Sequence, residues 1–261
     1  QEGKEVFLTA IPLFHVYGMV IGLNVAIALG ASIVLIEDAK DTSKLVETIA
    51  EEKVSVFPGV PTLFNVIWRY CMDEKPESNF NSLKVCISGS APLSKSIKAG
   101  FEKTTGAKLV EGYGLSEAPT ATHCNPVNGK NKNLSIGLPL PDVDCRIVGL
   151  EDDSQPVSNC QSGELLIKGP QVMQGYFEQE EESKLTLDSG WLHTGDIAYM
   201  DEDGYFFIIG RKKELIKVGG LQVWPNEVEE VIRQMAGIND CAVKGIPDEI
   251  SGEVAKVWVV L

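Results

Sequence analysis

The sequence predicts an α/β fold: a parallel sheet covered by helices, then a small antiparallel β-barrel, then the start of a small α+β C-terminal domain. Three observations support it. Strand-like and helical runs alternate over residues 4 to about 125, the pattern of a parallel sheet covered by helices. Short strands separated by Gly, Pro and Asp turns continue to about residue 210 and indicate a barrel or sandwich. A third pattern begins after Arg211. We therefore expect domains over 1–133, 134–210 and 211–261.

The elements follow in order along the chain. The first region contains strands EVFLTAIP, SIVLIE, VSVFP, LKVCISG and KLVEGYG, with helices over about 17–29, over 42–53, from Pro61, and over 94–105. The second contains strands DCRIVG, GELLIKG, IAYM and YFFIIG. The third contains a hairpin in ELIKVGGLQV, a helix that begins near Pro225, and strands in CAVKGIPD and VAKVWVVL.

One apolar segment has an alternative interpretation. Residues 16–36 are a stretch of 21 residues without a charge, and a helix of this length could span a membrane. Three glycines, Asn24 and Ser32 weaken that interpretation. A helix stopped by Gly30 and a buried strand explain the same residues, so we expect no transmembrane segment.

The composition is that of a globular protein, with 44% hydrophobic and 23% charged residues. The 37 acidic and 23 basic residues give a net charge of -14, which argues against a general surface for nucleic acid or anionic membrane. An anionic ligand would need a local site. The six cysteines contain no CxxC pair and indicate reduced thiols of a cytoplasmic protein. Peripheral membrane association and the oligomeric state are left open.

Two stretches offer chemistry. In EGYGLSE, Ser116 and Glu117 follow two glycines, and a hydroxyl with a carboxylate suits a phosphate and its Mg²⁺. An ordinary Gly-rich turn is the alternative. Asp196 and Arg211 flank a predicted hairpin with a DEDG turn, and such a pair can hold the two hydroxyls of a ribose. A salt bridge at the barrel rim is the alternative.

Two further features are less specific. His15, between a strand end and a helix start, is a candidate catalytic group, a cap or a pocket wall. A basic run in RKKELIK is either a solvated face or a local phosphate site. No GxSxG elbow accompanies the other histidines, so a serine hydrolase is unsupported.

Several motifs in succession resemble those of the AMP-forming acyl-CoA synthetases, within the adenylate-forming superfamily. They are PLFHVYG, SGSAPLS, EGYGLSE, SIGLPLP, GELLIKGPQVMQGY, GWLHTGD and GRKKELIKVGGLQVWPNEVE. EGYGLSE with GPQVMQGY is most similar to bacterial long-chain fatty-acid CoA ligases. The resemblance covers almost the whole chain and outweighs the alternatives given for each motif singly.

The resemblance implies a role for each matching position. Tyr113 would stack on adenine, Ser116 would contact the α-phosphate, and Glu117 would hold Mg²⁺. Asp196 would bind the ribose hydroxyls with help from Arg211. The wall of the adenine and acyl pocket would comprise Gly89, Ser90, Ala91, Glu111, Gly112, Tyr113 and Gly114.

The remaining implied roles concern the second half of the reaction. His15 would lie where the acyl pocket meets the pantetheine tunnel. Lys213 would be the hinge about which the C-terminal domain rotates, and Lys217 would be brought to the active site for thioester formation. Gly219 and Gly220 would border the pantetheine channel, where a side chain would obstruct a thin ligand.

The implied reaction uses ATP, a carboxylic acid and CoA, with Mg²⁺ as cofactor. The acid attacks the α-phosphorus of ATP, and the CoA thiol then displaces AMP from acyl-AMP. The family's phosphate loop precedes PLFHVYG and its adenylation lysine follows Leu261, and neither occurs in this sequence. We therefore expect a fragment that is a poor catalyst alone.

Two other functions stay open. An adenylation domain that loads a carrier protein would bind an amino group through an acidic pocket residue, and none can be assigned near PLFHVYG. A nucleotide-binding module without turnover would retain Asp196 and Arg211. The sequence ranks long-chain acids first, then medium-chain and aryl acids.

Overall fold

The computed structural model describes residues 3–74, 79–152 and 155–261. The chain divides into two compact units. Unit 1 comprises Gln1–Asp144 and Gly169–Tyr176, and unit 2 comprises Cys145–Lys168 and Phe177–Leu261. The domain boundaries expected from the sequence, after residues 133 and 210, stay a prediction.

Unit 1 contains a seven-stranded sheet in the order β2-β1-β3-β4-β5-β6-β7. Its strands are β1 (Val6–Thr9), β2 (Ser32–Leu35), β3 (Val56–Gly59), β4 (Val85–Ser88), β5 (Lys108–Tyr113), β6 (His123–Cys124) and β7 (Leu138–Pro139). Strands β1 to β5 are parallel, and β6 and β7 continue the sheet antiparallel. The predicted parallel sheet is confirmed.

Helices connect the parallel strands. They are α1 (π-helical over Gly18–Val25 and α-helical over Ala26–Ala28), α2 (Thr42–Glu51), α3 (Pro61–Glu74) and α4 (Lys95–Thr105). Asp41 accepts a hydrogen bond from the Lys44 N–H at the start of α2, and Ser94 caps α4 through the Ile97 N–H. The segment 16–36 thus forms the predicted helix and strand. Within the described ranges, no helix is long and apolar enough to cross a membrane.

Helices α2, α3 and α4 pack on the parallel strands around an aromatic core. The ring of Phe64 contacts those of Phe57 and Phe101 at centroid distances of 5.1 and 5.0 Å. All three residues are completely buried. Burying rings of this size stabilises the sheet, whose strand ends carry the candidate site residues.

Unit 2 contains a five-stranded antiparallel sheet of β8 (Asp144–Val148), β9 (Gly163–Lys168), β10 (Leu187–Asp188), β11 (Trp191–Met200) and β12 (Phe206–Arg211). Strand β9 pairs with one edge of β11, and β10 and β12 pair with the other. Across the described part of the chain the sheet is open, unlike the expected barrel. Alternation along a sequence locates strands but does not show whether the outermost ones pair, as closure requires.

Helix α5 (Glu180–Thr186) lies in the region where no helix is expected. It buries none of its residues, so it leaves no apolar periodicity to detect.

The chain continues through one 3₁₀ turn over Lys212–Glu214 into a second sheet of unit 2. Its order is β14-β13-β16-β15, with β13 (Ile216–Val218), β14 (Leu221–Val223), β15 (Asp240–Asp248) and β16 (Gly252–Val260). Helix α6 (Pro225–Arg233) begins with the predicted proline and contacts β15 through the hydrogen bond from the Val243 N–H to the Glu229 carboxylate, 2.8 Å. The predicted hairpin, helix and strands are confirmed.

Candidate active site

The candidate residues of unit 1 lie in loops that follow the carboxyl ends of parallel strands. His15 comes after β1, Gly89 after β4, and Ser116 after β5. Because these strands are parallel, their carboxyl ends share one edge of the sheet. The order β2-β1-β3-β4-β5 also places its reversal between β1 and β3, where ligands of such sheets bind.

The loop after β4 is held from two sides. Gly89 donates to the Gly59 carbonyl at 3.1 Å, and a Cβ atom built on Gly89 would lie 3.1 Å from the Tyr17 ring. Ser90 has a φ of 68°, a strained value for a residue with a side chain, which costs roughly 1–3 kcal/mol. Ser90 and Ala91 are exposed, as ligand-contacting residues would be.

Glu111 fastens the same loop to β5. Its Oε1 atom accepts a hydrogen bond from the Leu93 N–H at 3.2 Å, and the residue is buried. Burial raises the pKa of Glu111 to about 7, and Lys98 opposes this shift. The carboxyl group therefore changes charge near neutral pH.

His15 caps the start of α1. Its Nδ1 atom accepts the Tyr17 N–H at 3.1 Å. The side chain is exposed. The capping role considered from the sequence is confirmed, and a second role at the acyl pocket stays a prediction.

Tyr113 lies opposite His123 in the β5–β6 pair, with ring centroids 5.9 Å apart and an interplanar angle of 65°. His123 is completely buried, and burial lowers its pKa to about 3, so it is a neutral support for the Tyr113 ring. Beside it, a Cβ atom on Gly114 would lie 1.7 Å from the Thr120 carbonyl oxygen. Only glycine allows the loop to approach so closely.

Glu117 is oriented by a contact that the sequence did not reveal. The Tyr176 hydroxyl donates to its Oε1 atom at 2.8 Å, and its carbonyl oxygen accepts the Met173 N–H at 2.7 Å. Ser116 beside it is exposed. A fixed carboxylate beside a free hydroxyl fits Mg²⁺, which takes one or two carboxylates together with substrate phosphates.

In unit 2, the TGD segment forms a bulge in β11. His193 pairs with Leu166 and Ile197 with Glu164, so Thr194, Gly195 and Asp196 together face one residue of β9. Thr194 donates its hydroxyl to the Leu165 carbonyl at 2.7 Å and accepts the Asp196 N–H at 3.0 Å.

The bulge fixes the direction of Asp196. The glycine of the bulge, Gly195, has a φ of +69°, a value that favours glycine. Asp196 then lies directly opposite Arg211 in the predicted hairpin, after a register shift between Ile197 and Ala198. The Arg211 Nε atom is 2.7 Å from Oδ1 of Asp196, whose side chain is 3% exposed against 56% for Arg211. One partner is thus held rigidly and the other reaches solvent.

Glu164 is a second site residue that the sequence pattern did not indicate. It contacts Gly195, Lys212 and His193 from inside β9. The signal was a single carboxylate directly before the apolar run LLI in the strand GELLIKG. The role of Tyr176 is harder to detect in the sequence, because Tyr176 and Glu117 are 59 positions apart.

The remaining candidates are exposed. Lys213 lies in the 3₁₀ turn, which has no buried residue, and Lys217 presents its side chain to solvent while its N–H donates to Glu253 at 2.8 Å. Gly219 and Gly220 have φ values of 54° and 87°. A Cβ atom would meet nothing within 4 Å at either position. In this structure the hairpin turn, rather than crowding, accounts for the two glycines.

Comparisons with known proteins agree with the resemblance. Residues 1–177 match the family described as AMP-binding enzyme. The chain is 43% identical over its whole length to a long-chain-fatty-acid–CoA ligase of Bacillus subtilis, of which it covers 46%. The chain therefore spans about half the length of the curated relatives it matches.

Solved structures show the same similarity. ATP-bound MatB from Rhodopseudomonas palustris superimposes on 98% of this chain with a TM-score of 0.89 and 30% identity, half of that chain being covered. O-succinylbenzoate coenzyme A synthetase from Bacillus subtilis, in complex with ATP and magnesium, superimposes with a TM-score of 0.87 and 27% identity. The match covers 100% of this chain and 52% of the synthetase chain. With its fold, its motifs and two thirds of its length matched, the chain belongs to the AMP-binding enzyme family.

Proposed function

We propose that the protein is an AMP-forming acid–CoA ligase that activates a carboxylic acid, with long-chain fatty acids as the first candidates. The observation that carries this proposal is the Asp196–Arg211 pair on its bulge. A buried carboxylate held beside a half-exposed guanidinium suits the adjacent hydroxyls of a ribose.

The family resemblance assigns the rest of the nucleotide to a second group of residues. Tyr113, backed by His123, would stack on adenine, and the loop 88–94 with Glu111, Gly112 and Gly114 would form the pocket wall. The exposed Ser116 hydroxyl would donate to the α-phosphate. Mg²⁺, when bound at Glu117, would neutralise phosphate charge.

The first step would depend on positioning and charge. A carboxylate oxygen of the acid attacks the α-phosphorus of ATP, and pyrophosphate leaves. Ser116 would hold the α-phosphate in place, and Glu117 would hold its cation, so that the two anionic reactants meet in a fixed geometry.

The second step would use different residues. The CoA thiol attacks the acyl carbon of acyl-AMP, and AMP leaves. Lys213, in a single exposed turn, would be the hinge that brings Lys217 and the Gly219–Gly220 hairpin into use. His15 would border the pantetheine path.

The acid class rests on similarity. The relative of Bacillus subtilis is named for long-chain fatty acids, so we rank these acids above medium-chain and aryl acids. The same name supports CoA, rather than a carrier protein, as acceptor.

Acid-dependent exchange of pyrophosphate into ATP tests the proposal. The intact protein is assayed with long-chain, medium-chain, aryl and amino acids, and acyl-CoA formation is then measured with the best acid. We expect exchange with long-chain acids, lost in Asp196→Ala. Exchange with amino acids alone would favour carrier-protein loading, and ATP binding without any exchange would favour a non-catalytic module.

A further inference from the structure

Glu164 lies beneath the bulge that carries Asp196 and contacts the chain on both sides of the ribose pair. We propose that Glu164 is a positioning residue that holds Asp196 and Arg211 in the geometry required to bind ribose. The inference rests on the proposed function, because it concerns the ribose site of the same nucleotide.

Each carboxylate oxygen of Glu164 has its own partner. Oε1 accepts the Gly195 N–H at 3.2 Å, and Oε2 accepts the Lys212 ammonium at 2.6 Å. The His193 Nδ1 atom lies 3.6 Å from the same Oε2. Gly195 directly precedes Asp196 and Lys212 directly follows Arg211, so one side chain restrains both strands next to the pair.

Glu164 also supplies a hydrogen-bond acceptor that the bulge needs. Thr194, Gly195 and Asp196 of β11 lie opposite a single residue of β9, so the regular strand pairing does not satisfy the Gly195 N–H. The Glu164 carboxylate accepts this N–H instead. Its neighbours in β9, Leu165, Leu166 and Ile167, are completely buried. A carboxylate in such surroundings is costly unless it is hydrogen bonded and paired, and here it is both.

Loss of this support should affect the ribose more than the rest of the nucleotide. Without the Gly195 and Lys212 contacts, the bulge and the residue after Arg211 can shift. Hydrogen bonds to ribose hydroxyls need donor–acceptor distances of about 2.5–3.0 Å, and displacements of about 1 Å forfeit them. The adenine and phosphate contacts proposed for unit 1 depend on other elements.

Glu5 offers a matched control. It is also a buried glutamate, accepting the Lys84 ammonium at 2.7 Å and the Ser55 hydroxyl at 2.6 Å. It precedes β1, at the end of the parallel strands opposite to the candidate loops. Glu5→Gln breaks a similar buried pair without touching the bulge.

The test compares the dissociation constants of ATP and 2′-deoxy-ATP in the intact protein by titration calorimetry. The proteins are unsubstituted, Glu164→Ala, Glu164→Gln, Lys212→Met, Asp196→Ala and Glu5→Gln. We expect the unsubstituted protein and Glu5→Gln to prefer ATP by about 10- to 100-fold, the range for a hydrogen bond to a charged group. Asp196→Ala should lose the preference.

Glu164→Ala should lose most of the preference as well. Glu164→Gln and Lys212→Met, which each remove one contact, should lose it severalfold, and they decide the matter if Glu164→Ala does not fold. A purely structural role would weaken the binding of ATP and 2′-deoxy-ATP equally. If the Glu164 and Lys212 variants kept the full preference for ATP, the inference would be overturned while the proposed function would stand. Failure of the unsubstituted protein to bind ATP would overturn the proposed function and the inference together.

Discussion

Glu111→Gln should make the stability of the protein less dependent on pH. The folded protein keeps this carboxyl group protonated up to a pKa of about 7, whereas its ordinary value is 4.5. Between these values the unfolded chain binds fewer protons than the folded one, so the free energy of unfolding falls as pH rises. At about 1.4 kcal/mol per pH unit, the full loss above pH 7 is about 3 kcal/mol.

The substitution removes this loss because a glutamine carries no charge to bury. Its carbonyl oxygen can still accept the Leu93 N–H. The free energy of unfolding is measured in urea at pH 5, 6, 7 and 8 for both proteins. Relative to the unsubstituted protein, the value for Glu111→Gln should rise by about 2–3 kcal/mol between pH 5 and 8.

The control is Glu5→Gln. Its free energy of unfolding should differ from that of the unsubstituted protein by a constant amount above pH 5.5. The hydrogen bond from Lys84 lowers the pKa of Glu5 to about 2, so this group is ionised in both folded and unfolded states throughout that range. If the difference in the free energy of unfolding were also constant for Glu111→Gln, the assignment of a buried carboxyl group that titrates near neutral pH would be refuted.

Two further substitutions test the loops of unit 1. Gly114→Ala should destabilise the protein by several kcal/mol, on the order of a severe backbone clash, because its Cβ would lie 1.7 Å from the Thr120 carbonyl oxygen. Thermal unfolding of this variant is compared with that of Gly219→Ala, where only the positive φ opposes a side chain. Equal melting temperatures would contradict the prediction. Tyr176→Phe should raise the Mg²⁺ concentration needed for ATP binding about 10-fold, the usual effect of losing a partner of a metal ligand. Calorimetric ATP titrations at varied Mg²⁺ test this, and an unchanged requirement would exclude a positioning role.

The sequence predicted those features that depend on short-range pattern. A hairpin around the DEDG turn was enough to bring Asp196 near Arg211, because the two strands return alongside each other. Their direct pairing also depends on a register shift between Ile197 and Ala198, which the alternation of residue types does not show. The order of strands and helices likewise followed from hydrophobic runs separated by helical periodicity.

Features built from side-chain contacts with backbone groups were not predictable in this way. The bulge depends on Thr194 and Glu164 satisfying N–H groups that the ladder leaves unpaired, and alternation carries no record of such bonds. The contact of Tyr176 with Glu117 joins residues far apart in sequence. Sheet closure was expected wrongly because it depends on pairing between strands that are distant in the chain.

A crystal structure of the intact protein with a non-hydrolysable acyl-adenylate analogue, such as an acyl-sulfamoyl adenosine, tests the central claim most directly. We expect the ribose hydroxyls within hydrogen-bond distance of the Asp196 carboxylate, with Arg211 beside them and adenine against Tyr113. A ribose bound elsewhere, with Asp196 still paired with Arg211, would reduce this pair to a structural salt bridge and refute the proposed ribose site.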